Sequence, residues 1–431
     1  MSRLADEMRK TFASMHVSRN FRLFFVGQLI SVTGTWVNWT AGAVLVLELT
    51  DSGVALGIEA ALLFLPVLLF GVYAGSLADR FDKRRILLWS NAGYAVLAAA
   101  QFALVATDVV EIWMVFLIAF LTGLILAIEP PTRQSFYVEL VGEQHITNAI
   151  SLNSAVFTGT RVLGGAIAGT MIHTFGLWSP FLLDAVSYIG VLAALRAMRI
   201  GELHAQRKAE REPGLVRAGL RYVWNTQALR VPLVVMLLVY LFTFNFSVVI
   251  PLHAYRTFDG GPQEIGWFYA ALGLGAFLGA IAMANRQTEP TLRRLAAFSV
   301  AFGVLLGGAG LAPTFLLAMI AMVPVGYASM LFAITANSTL QQFTRADMRG
   351  RVMALYTTIF LGSTAVGGPI TGWVAETWGA PATFVASGAV AIGAGLFALR
   401  ARGVAMPPVA AAPTGPPPAE AATEDTAARS A

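Results

Sequence analysis

A chain of 431 residues ordinarily forms two or three soluble domains, but this composition excludes a soluble protein. Hydrophobic residues make up 57% and charged residues only 12%, against about 25% charged residues in a soluble domain. So few charges cannot cover a soluble surface of this size, and we predict an integral membrane protein. The chain has no cysteine, which excludes disulfides, thiolate nucleophiles, zinc fingers and iron–sulfur clusters.

Twelve stretches have the roughly 20 apolar residues that a helix needs to cross a bilayer. Lipid accepts only backbones whose polar groups are satisfied internally, so we expect helices throughout. The predicted class is an all-α integral membrane protein with two pseudo-symmetric bundles of six helices. Spans 1 to 12 are predicted near 21–47, 53–78, 85–106, 111–135, 147–173, 178–199, 230–254, 264–285, 292–312, 314–340, 350–376 and 380–402.

The formal charge of +5 and the placement of the basic residues predict the orientation. With the N-terminus inside, 27 of the 29 Lys and Arg residues fall on the cytoplasmic side. Only Arg256 falls outside, and Arg161 lies within a span. This asymmetry predicts cytoplasmic N- and C-termini in a cell (plasma or inner) membrane. Because the basic residues are spread over many loops, nucleic-acid binding is not expected.

The chain is predicted to have five parts. A cytoplasmic segment at 1–20, which lacks the apolar core of a signal peptide, precedes a bundle at 21–199. A charged cytoplasmic linker at 200–229 leads to a second bundle at 230–402. The Pro- and Ala-rich tail at 403–431 is expected to be disordered.

The two bundles are related in sequence. Residues 121–181, shifted by 203 positions, lie on 324–384 without a gap and are identical at 13 of 61 positions. A duplicated half is the economical explanation. Parallel repeats of six helices are typical of transporters, whose substrate site lies at the repeat interface.

The strongest local motif, GSLADRFDKRR, runs from Gly75 to Arg85 between spans 2 and 3. The residues of this motif that we expect to take part in gating are Gly75, Asp79, Arg80, Lys83 and Arg84. A simple basic stop between two spans is the alternative interpretation. The motif resembles the loop-2/3 signature of the major facilitator superfamily, and the twelve spans, the repeat and the long central linker agree with that resemblance.

A narrower resemblance rests on three segments: FRLFFVGQLISVTGTW from Phe21, PPTRQSFYVELV from Pro130 and NAISLNSAVFTGTRVLGG from Asn148. They resemble the enterobactin-exporter-like, or transmembrane secretion effector, branch, which consists mostly of proton-driven exporters. One departure weakens the inference of antiport. Gly165 stands where the antiporter motif of span 5 usually has proline.

The resemblance implies a gate and a cavity. Asp79 is expected to latch the cytoplasmic gate with Arg349 or Arg351 at the start of span 11. Spans 1, 4, 7 and 10 are expected to line the cavity, where aromatic rings with a few amides suit a bulky amphipathic ligand. The candidates are Gln28, Trp36, Asn38 and Trp39 in span 1, Tyr240, Phe244 and Asn245 in span 7, and Tyr327, Met330 and Asn337 in span 10.

Charged residues inside spans each cost about 2.5–3.5 kcal/mol on insertion scales, so each needs a reason. Asp184 and Glu59 are candidate proton-coupling groups, because desolvation favours the neutral form of a carboxyl group. Arg161, near the middle of span 5, is read as an anchor that tunes a neighbouring carboxylate. Glu129 is a further candidate for proton coupling or gating beside Arg133.

Each of these charges also has a structural interpretation. Asp184 would stabilise a helix N-terminus near the surface, Glu59 would snorkel to the interface, and Arg161 would form a buried pair. Glu129 and Arg133 are most simply an i,i+4 ion pair. Any single aromatic candidate would pack against lipid or core.

The leading hypothesis is a secondary active, proton-coupled exporter of a drug, siderophore or secondary metabolite. The alternative is a proton-coupled importer of an amphipathic nutrient or siderophore. A membrane enzyme and a non-transporting sensor are further alternatives, but no catalytic constellation and no large soluble domain support them. We expect a small-molecule substrate, protons and lipid as partners, a monomer, no cofactor, no metal site and no ATP hydrolysis, since no lysine follows glycine as a P-loop requires.

The latch hypothesis predicts that Asp79→Asn impairs transport while the variant reaches the membrane at a near-normal level. The carboxylate charge is what the latch requires of that position. Transport measured beside membrane abundance checks this, and unchanged transport would remove the hypothesis.

Overall fold

The structure, a computed structural model, describes residues 13–204, 215–285, 291–345 and 348–401. The side chains at 13, 72–80, 155, 158, 162, 215–219 and 285 are outside this description. The predicted tail at 403–431 and part of the predicted linker also lie outside it.

The membrane-spanning helices are labelled α1 to α12 after the predicted spans that they match. All regular elements among the described residues are helices, which confirms the all-α class. The helices are α1 Arg19–Thr50, α2 Gly53–Arg80, α3 Lys83–Ala106, α4 Ile112–Val141, α5 Ile146–Phe175, α6 Trp178–Arg196, α7 as Gln227–Thr243 and Phe246–Phe258, α8 Pro262–Asn285, α9 Leu292–Gly310, α10 Phe315–Phe343, α11 at 349–378 and α12 at 380–400.

A glycine divides the last two spans. The segment Arg349–Arg400 is continuous in hydrogen bonding, and by length and composition the described residues hold eleven candidate membrane segments. At Gly379 the backbone leaves helical geometry, with φ 85° and ψ 158°. Only glycine adopts such a conformation at low cost. The break separates α11 from α12, so the eleven segments make twelve crossings.

The same break recurs one repeat earlier. Gly176, which lies 203 residues before Gly379, ends α5 with φ 94° and ψ 165°. Both glycines reverse the chain between the fifth and sixth helix of their half. The sequence repeat is therefore also a repeat of backbone conformation.

The helices of each half pack in a matching pattern. In the first half α1 packs on α6, α2 on α4, and α3 on both α4 and α6. The second half repeats these pairs as α7 with α12, α8 with α10, and α9 with α10 and α12. Ser387 of α12 donates a hydrogen bond of 2.7 Å to the carbonyl oxygen of Phe242 in α7. The exact domain boundaries drawn from the sequence stay a prediction.

The two halves meet through α2 with α11 and through α5 with α8. We call the end of the bundle that holds the α1–α2 and α7–α8 connections the Arg256 end, and the opposite end the Lys83 end. The closest backbone contacts between the halves lie toward the Arg256 end. A Cβ atom added at Gly57 would lie 2.5 Å from the carbonyl oxygen of Gly368, and one added at Gly169 would lie 2.7 Å from that of Pro262.

Three of the four small-residue pairs that the sequence offers form close crossings. Gly368 and Gly372 of α11 lie on α2, Gly165 and Gly169 of α5 lie on α8, and Gly275 and Gly279 of α8 lie on α10. Gly71 has only the Val67 side chain of its own helix nearby, at 3.7 Å, and its partner Gly75 lies outside the described side chains. Two of the three crossings join the halves, so the Arg256 end is closed.

We predict that Gly57→Ala opens the Arg256 end. The added Cβ would also lie 2.8 Å from the Cα atom of Pro369, so α2 and α11 must separate. Because the chain has no cysteine, Thr107→Cys and Leu311→Cys introduce the only two spin-label sites, one on each half. The distance distribution between the two labels, measured by double electron–electron resonance, should shift to longer distances.

Gly393→Ala is the matched control, since a Cβ there meets nothing within 4 Å among the described residues. It gains the same helix propensity, about 1 kcal/mol, without the collision. Equal distance distributions in the two variants would contradict the prediction.

Candidate functional site

A cavity of about 470 Å³ lies almost wholly within the first half. This volume lies in the usual range for small-molecule sites, roughly 300–1,000 Å³. Among its 27 described lining residues only Met330 of α10 and Leu361 of α11 belong to the second half. The remainder come from α1 to α6, so the chemistry of the cavity is that of one bundle.

Five of the ten predicted cavity residues line it: Gln28, Trp36, Asn38, Trp39 and Met330. Along α1 the cavity extends from Gln28 to Trp39, a helical rise of about 16 Å. The structure thus places the candidates of span 1 at this cavity, and their role in substrate binding stays a prediction.

Five predicted cavity residues lie elsewhere, which corrects that part of the prediction. Tyr240 is fully buried in an aromatic cluster, 4.7 Å from Phe244 and 5.0 Å from Phe360 between ring centroids. These rings fill the second half instead of lining a cavity. The α7 helices therefore present an apolar core where the resemblance implied a binding wall.

The three remaining residues serve local structure. Asn245 lies at the break within α7, and its Nδ2 donates to the carbonyl oxygen of Leu241 at 2.7 Å. Asn337 accepts a 2.6 Å hydrogen bond from Gln341 on the next turn. The backbone of Tyr327 packs against Gly279 of α8, where an added Cβ atom would lie 2.8 Å from the Tyr327 carbonyl oxygen.

One wall of the cavity is aromatic. The Trp36 ring lies 5.0 Å from Trp39 and 5.4 Å from Phe157 between centroids, both edge to face. The Arg161 guanidinium carbon lies 5.4 Å from the Trp36 centroid, within the range of a cation–π contact. Arg161 itself is not among the lining residues. It lies beside the wall and holds Trp36 in place.

A second wall was missed by sequence reasoning. Tyr94 of α3 and Tyr188 of α6 stack with centroids 5.6 Å apart and ring planes 22° apart, and both line the cavity. The Tyr188 hydroxyl lies 3.1 Å from the Thr35 hydroxyl. The resemblance directed attention to spans 1, 4, 7 and 10, and no local motif marks these two tyrosines.

Asp184 lies in the cavity wall with 4% of its surface exposed. Its Oδ2 accepts a 2.9 Å hydrogen bond from Nδ2 of Asn38. Its Oδ1 is buried and has no hydrogen-bond partner among the described residues. A buried charge without a counter-ion is costly and is usually neutralised. The predicted candidate is therefore a half-satisfied carboxyl group inside the cavity.

Gly34 provides the space that Asp184 occupies. A Cβ atom at this position of α1 would lie 2.9 Å from Asp184 Oδ1 and 2.5 Å from Ser187 Oγ. A Cβ atom there would displace the side chains of Asp184 and Ser187. The carboxyl group thus depends on a glycine that sequence reasoning did not single out.

The other charged groups of the cavity are paired. Glu129 Oε1 lies 3.4 Å from Nε of Arg133, which confirms the predicted i,i+4 ion pair. Arg133 also donates to Gln28 Oε1 at 3.0 Å. Both members line the cavity, so the pair lies in its wall and not at an open surface.

Glu59 does not line the cavity. It lies in α2, where a Cβ added at Gly42 of α1 would be 3.9 Å from its Oε1. Glu59 is two positions along α2 from Gly57, and side chains two positions apart point to different faces of a helix. Of the two leading carboxylates, the structure brings only Asp184 to the cavity.

The predicted gating motif is described in part. Gly75, Asp79 and Arg80 lie outside the described side chains, so the latch of Asp79 with Arg349 or Arg351 stays a prediction. Lys83 forms a 2.6 Å ion pair with Glu139 at the end of α4. Arg84 donates a 2.7 Å hydrogen bond to the carbonyl oxygen of Leu195 at the end of α6. These two cations fasten α3 to its own half.

Charged residues also join the halves at the Arg256 end. Arg256 of α7 lies 3.5 Å from the Asp51 carboxylate and 3.6 Å from Glu376 of α11, and it donates to the carbonyl oxygen of Asp51. Glu376 accepts a 2.5 Å hydrogen bond from the Gly53 N–H at the start of α2. The one basic residue that the sequence places outside therefore sits in the contact that closes this end.

Comparison with known proteins identifies the family. The family model described as "transmembrane secretion effector", of the major facilitator superfamily, matches residues 10–426. The chain belongs to this family. Its members are transporters, so the membrane-enzyme alternative is set aside and a small molecule is the substrate.

Three relatives illustrate the range of the family. A Bacillus subtilis MFS-type transporter, YfiS, is 26% identical over 88% of this chain and 92% of its own. The multidrug efflux pump Tap of Mycolicibacterium fortuitum is 27% identical over 84% of this chain and 91% of its own. A staphyloferrin A transporter of Staphylococcus aureus is 30% identical over 40% of this chain and 44% of its own.

Solved structures show the same fold. The nucleoside transporter NupG superposes with a TM-score of 0.74 over 89% of this chain and 99% of its own, at 12% identity. At so low an identity the likeness concerns the fold alone. The twelve helices of this transporter are thus arranged as in other members of the superfamily.

We predict that Arg256→Gln loosens the Arg256 end of the transporter only modestly. Side-chain exposure is 27% for Arg256, 79% for Asp51 and 37% for Glu376, and exposed pairs contribute about 0–1 kcal/mol. The ratio of closed to open molecules should therefore fall by about fivefold at most for each of the two ion pairs lost. The spin-label pair described above measures it.

The effect should shrink as salt is added, because salt screens exposed charges. Arg199→Gln, which removes an exposed ion pair with Glu202 outside this contact, is the control. A shift that persists in high salt, or that Arg199→Gln reproduces, would contradict a role for the Arg256 charge.

Proposed function

We propose that this transporter is a proton-coupled exporter, an antiporter of a small amphipathic compound such as a drug, siderophore or secondary metabolite. It is proposed to act by alternating access in the cell membrane. The observation that carries the proposal is Asp184, a buried, half-satisfied carboxyl group in the wall of a cavity whose Arg256 end is closed. A group so placed exchanges a proton and contacts the substrate in the same cavity.

The basic residues support the orientation. Lys83, Arg84 and Arg85 lie at the end opposite Arg256, and positive loops face the cytoplasm. The Arg256 end then faces outside, and the close helix contacts there separate the cavity from that side. A cavity that loads from the cytoplasm and releases outside performs export.

Alternating access follows from the two interfaces between the halves. The crossings of α2 with α11 and of α5 with α8 must part at the Arg256 end before the substrate leaves. Protonation of Asp184 from the outside would neutralise the carboxyl group, release the substrate and favour the return. Glu59, near the first of these crossings, is the second proton-coupling candidate.

The relatives support export more than import. Tap is named as a multidrug efflux pump, and its alignment with this chain covers most of both proteins. The staphyloferrin A transporter matches over a smaller part, and import of an amphipathic nutrient or siderophore is the second candidate. The geometry of alternating access is the same in both directions.

We predict that a compound accumulates in spent medium when the native host overproduces the wild-type chain, relative to a deletion strain. The Asp184→Asn and Glu59→Gln double variant should abolish this rise, because neither proposed proton site can then titrate. Metabolite profiling of the medium, with membrane abundance of each variant, measures it. Everted vesicles should take up that compound when the pH gradient is imposed.

Two outcomes would overturn the proposal separately. A medium compound that falls on overproduction would show import. Gradient-driven transport that survives in both single variants and in the double variant would remove the proton assignment.

A further inference from the structure

The charges of the cavity do not balance. Its described lining holds three ionisable acidic or basic side chains of the Asp, Glu, Lys or Arg type: Asp184, Glu129 and Arg133. Glu129 and Arg133 neutralise each other in the wall. Asp184 has Asn38 as its polar partner and no ion pair among the described residues. When ionised, the cavity therefore carries one net negative charge.

Two of the seven buried side-chain atoms that have no hydrogen-bond partner among the described residues belong to residues that line this cavity. Asp184 Oδ1 is an acceptor, and Trp36 Nε1 is a donor. Both are buried, and neither has a hydrogen-bond partner among the described residues. Buried polar atoms are almost always satisfied, and exceptions point to a missing ligand or a functional role.

The described cations are poorly placed to receive an anion. Arg133 forms an ion pair with Glu129 and donates a hydrogen bond to Gln28. Arg161 lies against the Trp36 ring and outside the lining. A negatively charged substrate would meet Asp184 without a free basic group in the described wall to balance it.

We propose that the substrate is a monovalent organic cation with an apolar body. Its positive charge lies at Asp184, its body lies against the rings of Trp36, Trp39 and Phe157, and an acceptor atom on it receives the Trp36 N–H. This inference rests on the proposed transport function and narrows its substrate class. Aromatic faces favour cations as well as apolar groups.

The same carboxyl group makes the exchange one for one. Asp184 holds either a proton or the cation, so each substrate that leaves is replaced by one proton and no net charge crosses. The groups that face Asp184 are Asn38 of α1, Tyr94 of α3, the Glu129–Arg133 pair of α4, and Tyr188 of α6. Since the ion pair is neutral as a unit, competition between proton and cation centres on Asp184.

Two ions of nearly the same shape test the proposal. Tetraphenylphosphonium and tetraphenylborate differ chiefly in the sign of their charge. Equilibrium dialysis of each radiolabelled ion against the purified full chain in detergent, with empty micelles subtracted, measures binding. We expect the phosphonium to bind and the borate to bind at least about tenfold more weakly, which corresponds to one charge-assisted contact.

Asp184→Asn should weaken phosphonium binding by roughly 10- to 100-fold and remove its dependence on pH. In the unaltered chain that binding should weaken as pH falls, because protons compete. Glu202→Gln is the matched control, since it neutralises an exposed carboxylate that lies beyond the end of α6 and does not line the cavity. It should leave binding unchanged.

Circular dichroism and gel filtration identify a variant that fails to fold. For that case Asn38→Ala gives a second test, since it leaves the charge but removes the hydrogen bond, and it should alter the pH at which phosphonium binding is lost. Borate binding as tightly as phosphonium, or phosphonium binding unchanged in folded Asp184→Asn, would overturn the cation assignment. Either result, beside a compound that still rises in the medium, would leave proton-coupled export standing.

Discussion

Backbone-to-backbone contact through glycine is the constraint on which this transporter depends. Gly57 with Gly368 and Gly169 with Pro262 bring helices of the two halves closer than any side chain allows. In a bilayer no hydrophobic driving force joins helices, so such packing supplies the association. The cavity is closed at one end because these contacts form there.

Glycine contacts also suit an interface that opens in the proposed mechanism of alternating access. They interlock few side chains, so the halves can separate without extracting bulky groups from a core. The exposed ion pairs of Arg256 add about 1 kcal/mol or less each and shift the balance without fixing it. The second half, by contrast, fills its centre with the Tyr240 aromatic cluster. One bundle is therefore a packed body, and the other carries the cavity.

The placement of charged residues explains why the cavity contains one carboxyl group without an ion pair. Asp184 reaches its position because Gly34 leaves room beside it, and Asn38 satisfies only one of its two oxygens. Arg133 is paired with Glu129 and so does not neutralise Asp184. The result is a single unbalanced carboxyl group among aromatic rings. Under the proposed function, that arrangement links proton exchange and substrate binding at one residue.

The sequence by itself determined the twelve crossings and identified the charged residues within them, because hydropathy and insertion cost depend on each segment alone. It also determined the duplicated half, because the 203-residue repeat is a direct comparison of two segments. It also predicted the Glu129–Arg133 pair, which lies within one helix turn. Only the tertiary structure decided which residues share a cavity. Tyr94 lines the cavity although the sequence did not predict it, and Tyr240 was predicted to line the cavity but lies outside it. Which side chains meet across helices depends on how each helix is rotated about its axis and on where helices cross, and the sequence of a single span does not determine either.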